Sequence, residues 1–363
     1  MKKTILLLVS FFIVFTINAQ EKKAFYDTGE LESVGSFNDG RKTGNWKFYH
    51  KNGKLAIRGK YERGYNYGKW KYYHENGQLE KSGEYIKGWA TGEWKKYYDN
   101  GQLFSIGKYE LGDYFNGWTT GEWKYYHKNG KLSKVGSHSR GYITGKWEYY
   151  FENGQLEKIG EYIKGWETGE WEYYFENGQL EMTGYYDDNA KKEEWKTGEW
   201  KYYNDNGQLE KTGYFDNNLK TGEWEYYFEN GQLELIGKYE VVYSREKKTG
   251  EWKSYYKTGQ LKSVKNYENG FLMGEWKRYS ETGQLESIGN YKYNTKVGEW
   301  KFYYKTGQLQ MIGNYENNKQ IGEWKVYYEN GQLGVIGEFE NGVKTGEWKT
   351  YDEKGNLIKT EKF

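Results

Sequence analysis

One tryptophan recurs along almost the whole chain at a nearly fixed interval, and this period restricts the folds open to the sequence. Each copy lies in a Gly-x-Trp context, and most steps are about 24 residues, as between Trp46 and Trp70. A fixed period of this size predicts a repeat array in which each unit packs mainly against its neighbours. The recurring positions are Trp46, Trp70, Trp94, Trp123, Trp147, Trp171, Trp200, Trp224, Trp252, Trp276, Trp300, Trp324 and Trp348.

Each repeat carries the pattern of one β-hairpin. A turn dipeptide, Asn153-Gly154 in one repeat and Thr306-Gly307 in another, separates two short runs rich in aromatic and aliphatic residues. Asn-Gly suits a two-residue type I′ turn, but threonine disfavours the positive φ that such a turn requires. A three-residue loop, built from a type I turn and a left-handed glycine, accepts both dipeptides. We therefore expect that loop in every repeat.

The loop predicts a strand register. Counting outward from it places Tyr150 opposite Leu156 and Trp147 opposite Ile159. Because side chains alternate between the faces of a strand, Trp147 and Tyr150 point to opposite faces unless a bulge intervenes. We therefore expect apolar stripes on both faces, with a long aromatic groove as a contact surface.

Composition defines the fold class. Aromatic residues make up 20% of the chain and favour strands. Proline, which would interrupt a sheet, is absent, and so is cysteine, so stacking of neighbouring repeats must hold the chain together. The sequence predicts an all-β fold: an elongated array of antiparallel β-hairpins that forms a continuous, twisted, single-layer meander sheet.

The repeats divide the chain into four segments. Residues 1–19 combine a basic start with an apolar run and read as a signal peptide. Residues 20–45 form a degenerate capping repeat, in which Lys22 replaces the tryptophan. Residues 46–347 hold the regular hairpin repeats, and residues 348–363 form a polar C-terminal capping hairpin.

The leader determines the expected location and charge. Its cleavage removes Lys2 and Lys3, which leaves 52 basic residues against 52 acidic ones. A neutral mature protein is a poor candidate for nucleic-acid binding, and no apolar segment remains that could span a membrane. We expect an exported bacterial protein in the periplasm, on the cell surface or outside the cell.

Four further tryptophans are the candidate binding residues. Trp89, Trp118, Trp166 and Trp195 each precede a repeat tryptophan by five residues, in the loop between hairpins that also accepts insertions. Two interpretations are open. The rings fold back over the edge of the sheet, or they bind a ligand.

Residues for catalysis or for metal binding are scarce. The chain has four histidines, His50, His74, His127 and His138, which read as strand substitutions. No zinc site, nucleotide loop or catalytic constellation is recognisable, so we predict no catalytic residues, no metal and no cofactor. The acidic segment Asp187-Asp188-Asn189 reads either as a weak calcium site or as a solvated loop.

The motif carries a family resemblance. The pattern G-x-W-x-x-Y-x-x-x-G-Q-L-x-x-x-G-x-Y, as from Gly68 to Tyr85, resembles the variant MORN repeat of bacteria. The mature chain resembles the YwqK family of antitoxin components. That resemblance implies a non-enzymatic protein that binds a protein partner and neutralises a toxin.

Three functions remain open at this point. The favoured prediction is an exported protein-binding scaffold whose partner is a toxin-like or an envelope protein. The first alternative is a carbohydrate-binding protein of the cell envelope, in which strips of aromatic rings face sugars. The second alternative is a structural surface protein without a ligand.

Overall fold

A computed structural model describes residues 20–112, 117–188 and 195–363. The predicted leader, residues 1–19, lies outside them. All regular structure in these three ranges is β-strand, and none of it is a helix that could cross a membrane. The described residues divide into two compact units, one up to residue 154 and the other from residue 155 onward.

In the first unit, each strand pairs antiparallel with the next one along the chain. The strands are β1 (Gln20–Phe25), β2 (Leu31–Asn38), β3 (Arg41–Tyr49), β4 (Leu55–Glu62), β5 (Tyr65–Tyr73), β6 (Leu79–Ile86), β7 (Trp89–Tyr97), β8 (Leu103–Leu111), β9 (Gly117–Tyr126), β10 (Leu132–Ser139) and β11 (Tyr142–Tyr150).

The second unit has the same meander, except that β21 and β22 both pair with β20. Its strands are β12 (Leu156–Ile163), β13 (Trp166–Tyr174), β14 (Leu180–Tyr186), β15 (Lys196–Tyr203), β16 (Leu209–Asp216), β17 (Leu219–Tyr227), β18 (Leu233–Val242), β19 (Arg245–Tyr255), β20 (Leu261–Glu268), β21 (Phe271–Leu272), β22 (Gly274–Tyr279), β23 (Leu285–Lys292), β24 (Thr295–Tyr303), β25 (Leu309–Glu316), β26 (Lys319–Tyr327), β27 (Leu333–Glu340), β28 (Val343–Tyr351) and β29 (Leu357–Lys362). The predicted all-β fold of antiparallel hairpins is confirmed.

The turn inside each hairpin is the predicted three-residue loop. In the second regular repeat, the backbone N–H of His74 donates to the carbonyl of Gln78 at 2.9 Å, and that of Gly77 donates to the carbonyl of His74 at 2.8 Å. Gly77 has a φ of 91° and is the left-handed residue of the loop. The residue before this glycine does not need a positive φ. Threonine can therefore replace asparagine at that position in other repeats.

The connection between hairpins is tighter than the sequence suggested. Lys87 and Gly88 both have positive φ, 50° and 87°, and Ile86 lies directly opposite Trp89. These are the features of a two-residue type I′ turn, whose twist matches that of the flanking strands. The prediction of a loop here is wrong, since Trp89 is the first residue of β7.

The register agrees with the prediction near the turn and departs from it farther away. Tyr73 lies opposite Leu79, the pairing expected for Tyr150 and Leu156. Trp70, however, lies opposite Gly83, because Glu80 is an extra residue that shifts the register between Tyr72 and Tyr73. The expected pairing of the repeat tryptophan with the residue before this glycine, as in Trp147 with Ile159, is therefore wrong for the hairpins whose register is described.

The glycine opposite each tryptophan leaves space for the tryptophan of the following repeat. A Cβ atom on Gly83 would overlap the indole ring of Trp94. The same ring packs edge-on against Tyr85, with 5.0 Å between centroids, and Tyr85 packs against Trp70 at 5.9 Å. Tryptophans alternate in this way with tyrosine, phenylalanine or histidine and form an aromatic ladder, the core of each unit.

Twelve of the thirteen repeat tryptophans are between 0% and 7% exposed. The face that carries them, here called the Trp face, therefore offers no open aromatic groove, and the expectation of such a groove is wrong. The other face, here called the charged face, carries ion pairs along single strands. Examples are Glu93 with Lys95 at 3.1 Å and Glu299 with Lys301 at 2.9 Å.

Backbone hydrogen bonds join the type I′ turns to strands two places earlier. The N–H of Gly88 donates to the carbonyl of Asn66 at 2.9 Å, which links the β6–β7 turn to the start of β5. Gly64 donates to Lys42 in the same way, also at 2.9 Å. These bonds therefore tie each of these turns to the hairpin before it.

One repeat departs from this packing. Lys265 occupies the position opposite Trp252 that is glycine in most repeats. Trp276, the tryptophan that would cover that glycine, is partly exposed and packs at a tilt against Trp300, with 5.4 Å between centroids. A side chain at the glycine position and a buried tryptophan are therefore alternatives, because they compete for one space.

Candidate functional site

An edge of the first unit presents one exposed aromatic side chain from each of four consecutive hairpins. We call this set the aromatic edge, and it consists of Tyr65, Trp89, Trp118 and Tyr142. Their exposed fractions are 58%, 43%, 40% and 58%. Each residue lies at the start of a strand, next to a connection between hairpins, and alternation along the strand places it on the charged face.

The rings of the aromatic edge lie partly over the backbone of the neighbouring turn. A ring carbon of Tyr65 is 3.5 Å from where a Cβ atom of Gly88 would lie, and a ring carbon of Trp118 is 3.1 Å from that of Gly141. Tyr65 and Trp118 therefore fold back over the edge, whereas ligand binding by the four tryptophans stays a prediction. Their remaining surface is open, so the same rings are also available to a ligand.

The structure brings the strand starts that carry Trp89 and Trp118 together. The residues next to these tryptophans, Ala90 and Gly117, approach so closely that a Cβ on Gly117 would be 2.8 Å from the carbonyl oxygen of Ala90. Neighbouring hairpins are two strands apart, so successive rings of the edge repeat at about 10 Å. The result is a row of aromatic surfaces with regular spacing.

A cavity of about 760 Å³ lies at one end of the aromatic edge. Three aromatic rings and three cations line it, together with one carboxylate. The lining residues are Arg41, Glu62, Arg63, Tyr65, Tyr67, Lys87 and Trp89. Amphipathic rings next to arginine are the side-chain types that are enriched in protein interfaces.

The other two candidate tryptophans lie in the second unit. Trp166 is the first residue of β13 and Trp195 directly precedes β15, with exposed fractions of 40% and 36%. Tyr185 and Tyr214 are also exposed in that part of the unit. The tryptophans therefore form one pair in each unit, within a wider set of exposed aromatic residues.

Tyr65 and Tyr142 were not among the residues predicted from the sequence. Both precede a repeat tryptophan by five residues, the same offset as the four predicted tryptophans. The offset itself identifies them, because tyrosine replaces tryptophan at this position of the repeat.

Three histidines have a structural role. The Nε2 atoms of His50, His74 and His127 each donate to a carbonyl of the next hairpin, at 2.8, 3.2 and 2.8 Å. In other repeats a tyrosine hydroxyl makes this bond, as Tyr98 does to the carbonyl of Tyr126 at 2.8 Å. These histidines therefore replace tyrosine as hydrogen-bond donors between repeats.

The fourth histidine lies in the aromatic ladder. His138 packs between Trp123 and Trp147, with 5.7 and 5.3 Å between ring centroids. Its Nδ1 contacts the hydroxyl of Thr119 at 3.0 Å, and its Nε2 is buried with no hydrogen-bond partner in the described part of the chain. Burial lowers the pKa of His138, and the charge of Lys134 lowers it further.

Polar groups that could suggest chemistry have structural partners. Asp188 accepts hydrogen bonds from the hydroxyl of Thr168 and, at 3.1 Å, from the N–H of Gly169. The buried carboxylate of Glu167 accepts from the ammonium of Lys158 at 2.9 Å. Across residues 20–112, 117–188 and 195–363, no group of three His, Asp or Glu could hold a metal ion. Asn189, the last residue of the considered calcium segment, lies outside those ranges.

Comparisons with solved structures give only weak likenesses. A crystal structure of TcdB2-TccC3-Cdc42 is 13% identical, with 93% of this chain and 20% of that chain covered and a TM-score of 0.17. The Tc holotoxin pore of Photorhabdus luminescens is 13% identical, with 91% and 19% covered and a TM-score of 0.16. The chain thus spans about a fifth of these chains, and TM-scores this low carry no argument. No curated protein matches the chain.

The family model described as MORN repeat variant matches the chain in thirteen segments. They are residues 42–63, 66–87, 90–110, 119–138, 143–164, 167–188, 196–217, 220–240, 248–269, 274–293, 296–317, 320–341 and 344–363. The segments together cover more than half of the sequence, and each coincides with one turn-linked pair of strands. The chain therefore belongs to the MORN repeat variant family.

Proposed function

We propose that this protein is an exported, non-enzymatic scaffold that binds a protein partner through its aromatic edge. The observation that carries the proposal is the row of four partly exposed rings, Tyr65, Trp89, Trp118 and Tyr142, on consecutive hairpins. Tyr65 and Trp118 lie against neighbouring turns, so little side-chain entropy should be lost when a partner covers them. The leader in residues 1–19 supports export.

The size and chemistry of this edge suit a protein surface. Four rings at intervals of about 10 Å extend over about 30 Å, the dimension of a standard protein interface. Arg41, Arg63 and Lys87 lie beside the rings at the cavity, where they can form polar contacts around an aromatic centre. The resemblance to the YwqK family supports an antitoxin-like role, in which the bound partner is a toxin-like or an envelope protein held inactive.

The test begins with residues 20–363 immobilised and exposed to native envelope and extracellular extract. A partner identified by mass spectrometry is then purified, and its affinity is measured for three variants. The double changes Trp89→Ala with Trp118→Ala and Tyr65→Ala with Tyr142→Ala should each weaken binding at least about tenfold, since interface aromatics are hot spots. Tyr243→Ala, which removes a ring that is 94% exposed in the other unit, is the control and should bind normally.

Two results would contradict this proposal. One is normal partner affinity in both double variants. The other is hydrolase or transferase activity in the pure protein that persists in them.

Carbohydrate binding is the second candidate, because regularly spaced and half-exposed rings also suit the apolar faces of sugars. The same experiment with immobilised residues 20–363 distinguishes carbohydrate binding from protein binding. Retention of polysaccharide without protein, abolished by the changes at Trp89 and Trp118, would support carbohydrate binding and reject the protein partner. Retention of neither ligand class would favour a structural surface protein.

A further inference from the structure

Five cations lie together on the charged face of strands β3 to β5. Lys47 lies directly opposite Arg58, and Arg58 lies directly opposite Lys71, so three positive side chains form a row across three neighbouring strands. Lys60 and Lys69 flank this row on β4 and β5. We call these five residues the cationic row, and all of them are exposed.

This arrangement departs from the other repeats at three positions that meet here. The residue before the repeat tryptophan is glutamate in most repeats and forms an ion pair with the lysine after it, as Glu122 does with Lys124 at 2.9 Å. Asn45 and Lys69 replace that glutamate in the two adjacent repeats. Arg58 stands at a position that holds only Ser, Thr, Val or Ile in the other regular repeats.

The close ion pairs found along other strands are missing from the cationic row in the described residues. Lys69 lies opposite Glu84 in the register, yet no member of the cationic row has an ion-pair partner within 4.0 Å in the described part of the chain. Like charges directly opposite each other on neighbouring strands are unfavourable. The three departures therefore create a repulsion that the packing of the sheet does not require.

The cationic row surrounds a cavity. Its volume is about 380 Å³, enough for a small anion with its remaining water, and it opens to solvent. The residues that line it are Asn45, Trp46, Lys47, Arg58, Gly59, Lys60, Lys69 and Lys71. Arg58 lies in the middle of the row, with Lys47 and Lys71 as its direct neighbours on either side.

We propose that the cationic row is a binding site for a multiply charged oxyanion, a ligand that carries phosphate or sulfate groups. The guanidinium of Arg58 can donate two parallel hydrogen bonds to two oxygens of one such group. The lysine ammonium groups supply point charges for the remaining oxygens. Bound anion removes the repulsion across the strands, which explains how the like charges are tolerated. The site is separate from the aromatic edge, so it goes beyond the proposed function.

Isothermal titration of residues 20–363 with inorganic pyrophosphate at low salt tests the site. We expect saturable binding that weakens as salt is added. Two variants restore the residues of other repeats, Arg58→Ile and Lys69→Glu, and each should weaken binding at least about tenfold, the loss of one charge-assisted hydrogen bond. Lys325→Ala removes a cation of the second unit that is paired with Glu323 at 2.7 Å, and it should leave binding unchanged.

A second arm separates the two sources of phosphate. Vesicles of phosphatidylcholine with and without phosphatidylglycerol are sedimented with the protein. If the protein sediments only with vesicles that contain phosphatidylglycerol, and Arg58→Ile abolishes this, the ligand is a lipid headgroup. If the protein binds pyrophosphate but does not sediment with either kind of vesicle, the ligand is soluble. Because both variants relieve repulsion, their unliganded thermal midpoints should equal or exceed that of the native chain, which controls for misfolding.

The proposal is overturned if neither pyrophosphate nor anionic vesicles bind the native chain. It is equally overturned if Lys325→Ala weakens binding as much as Arg58→Ile does, because the attraction would then depend on overall charge. The proposal is also overturned if both Arg58→Ile and Lys69→Glu bind pyrophosphate with the affinity of the native chain.

Discussion

The glycine beneath each tryptophan provides the sharpest test of the packing. In the twelfth regular repeat, Trp324 is 2% exposed and lies over Gly313, where a Cβ atom would overlap the indole. The Gly313→Ala variant therefore forces this ring outward. Trp276, displaced in the repeat where Lys265 replaces glycine, shows the position that the ring would take.

The cost can be worked from area and contacts. An aromatic side chain buries up to about 250 Å², so exposing about a quarter of it costs about 1.5 kcal/mol at about 25 cal/mol/Å². Loosening the edge-on contacts of Trp324 with Tyr315 and Phe339, at 5.1 and 6.0 Å, adds about 1 kcal/mol. Alanine recovers about 0.5 kcal/mol of strand entropy relative to glycine. The net destabilisation is about 2 kcal/mol.

Hydrogen exchange measures this change locally, because repeat arrays open in segments instead of all at once. Amide protection in residues 309–327 should fall by about 30-fold, the equivalent of about 2 kcal/mol. Gly334→Ala is the matched control. Its Cβ meets only the movable ring of Tyr328 at 2.9 Å, and other repeats carry larger residues at that position, such as Phe104. Equal protection in the two variants would refute the close-approach argument.

Three further predictions follow from the same contacts. Lys265→Gly should let Trp276 reach the ladder and so protect its indole from oxidative labelling; unchanged labelling would contradict the competition for space. Folding lowers the pKa of His138, so the unfolded chain binds more protons than the folded chain, and the free energy of unfolding should decrease as pH falls through about 6.5. Thermal unfolding measured at a series of pH values should not show this decrease in the His138→Tyr variant. In the turn, Asn76 donates to the carbonyl of Asp99 at 2.7 Å and accepts from an N–H at 2.9 Å. Asn76→Ala removes both hydrogen bonds and should lower local stability by about 1 kcal/mol. Asn76→Asp keeps only the acceptor and should therefore lower it by less. Hydrogen exchange of the turn amides measures both changes.

The sequence predicted what local rules control. The period of the tryptophans, the absence of proline and the Asn-Gly or Thr-Gly dipeptides were sufficient for an all-β array of hairpins with three-residue loops. Tyr73 opposite Leu79 also followed, because only a few residues separate that pair from its turn. At this range, backbone conformation and side-chain alternation decide the geometry.

The candidate site was predicted in part. The offset of five residues before the repeat tryptophan selects four rings that are exposed in the structure, Trp89, Trp118, Trp166 and Trp195, and their binding of a ligand stays a prediction. It did not reveal that Tyr65 and Tyr142 extend the row, nor that a type I′ turn lies beneath the rings. The first position of that turn holds residues as different as Lys87, Tyr243 and Asn317, so it has no single sequence signature.

The pairing of residues farther from the turns was decided by tertiary structure. Two local features of the repeat, an extra residue in one strand and a hydrogen bond from the turn, set this pairing. The extra residue at Glu80 moves Trp70 from its expected partner to Gly83, and the N–H of Gly88 donates to the carbonyl of Asn66 two strands earlier. The sequence by itself therefore determined which residues form each hairpin. Only the folded sheet determined which residues face each other across strands, and with them the buried ladder, the aromatic edge and the cationic row.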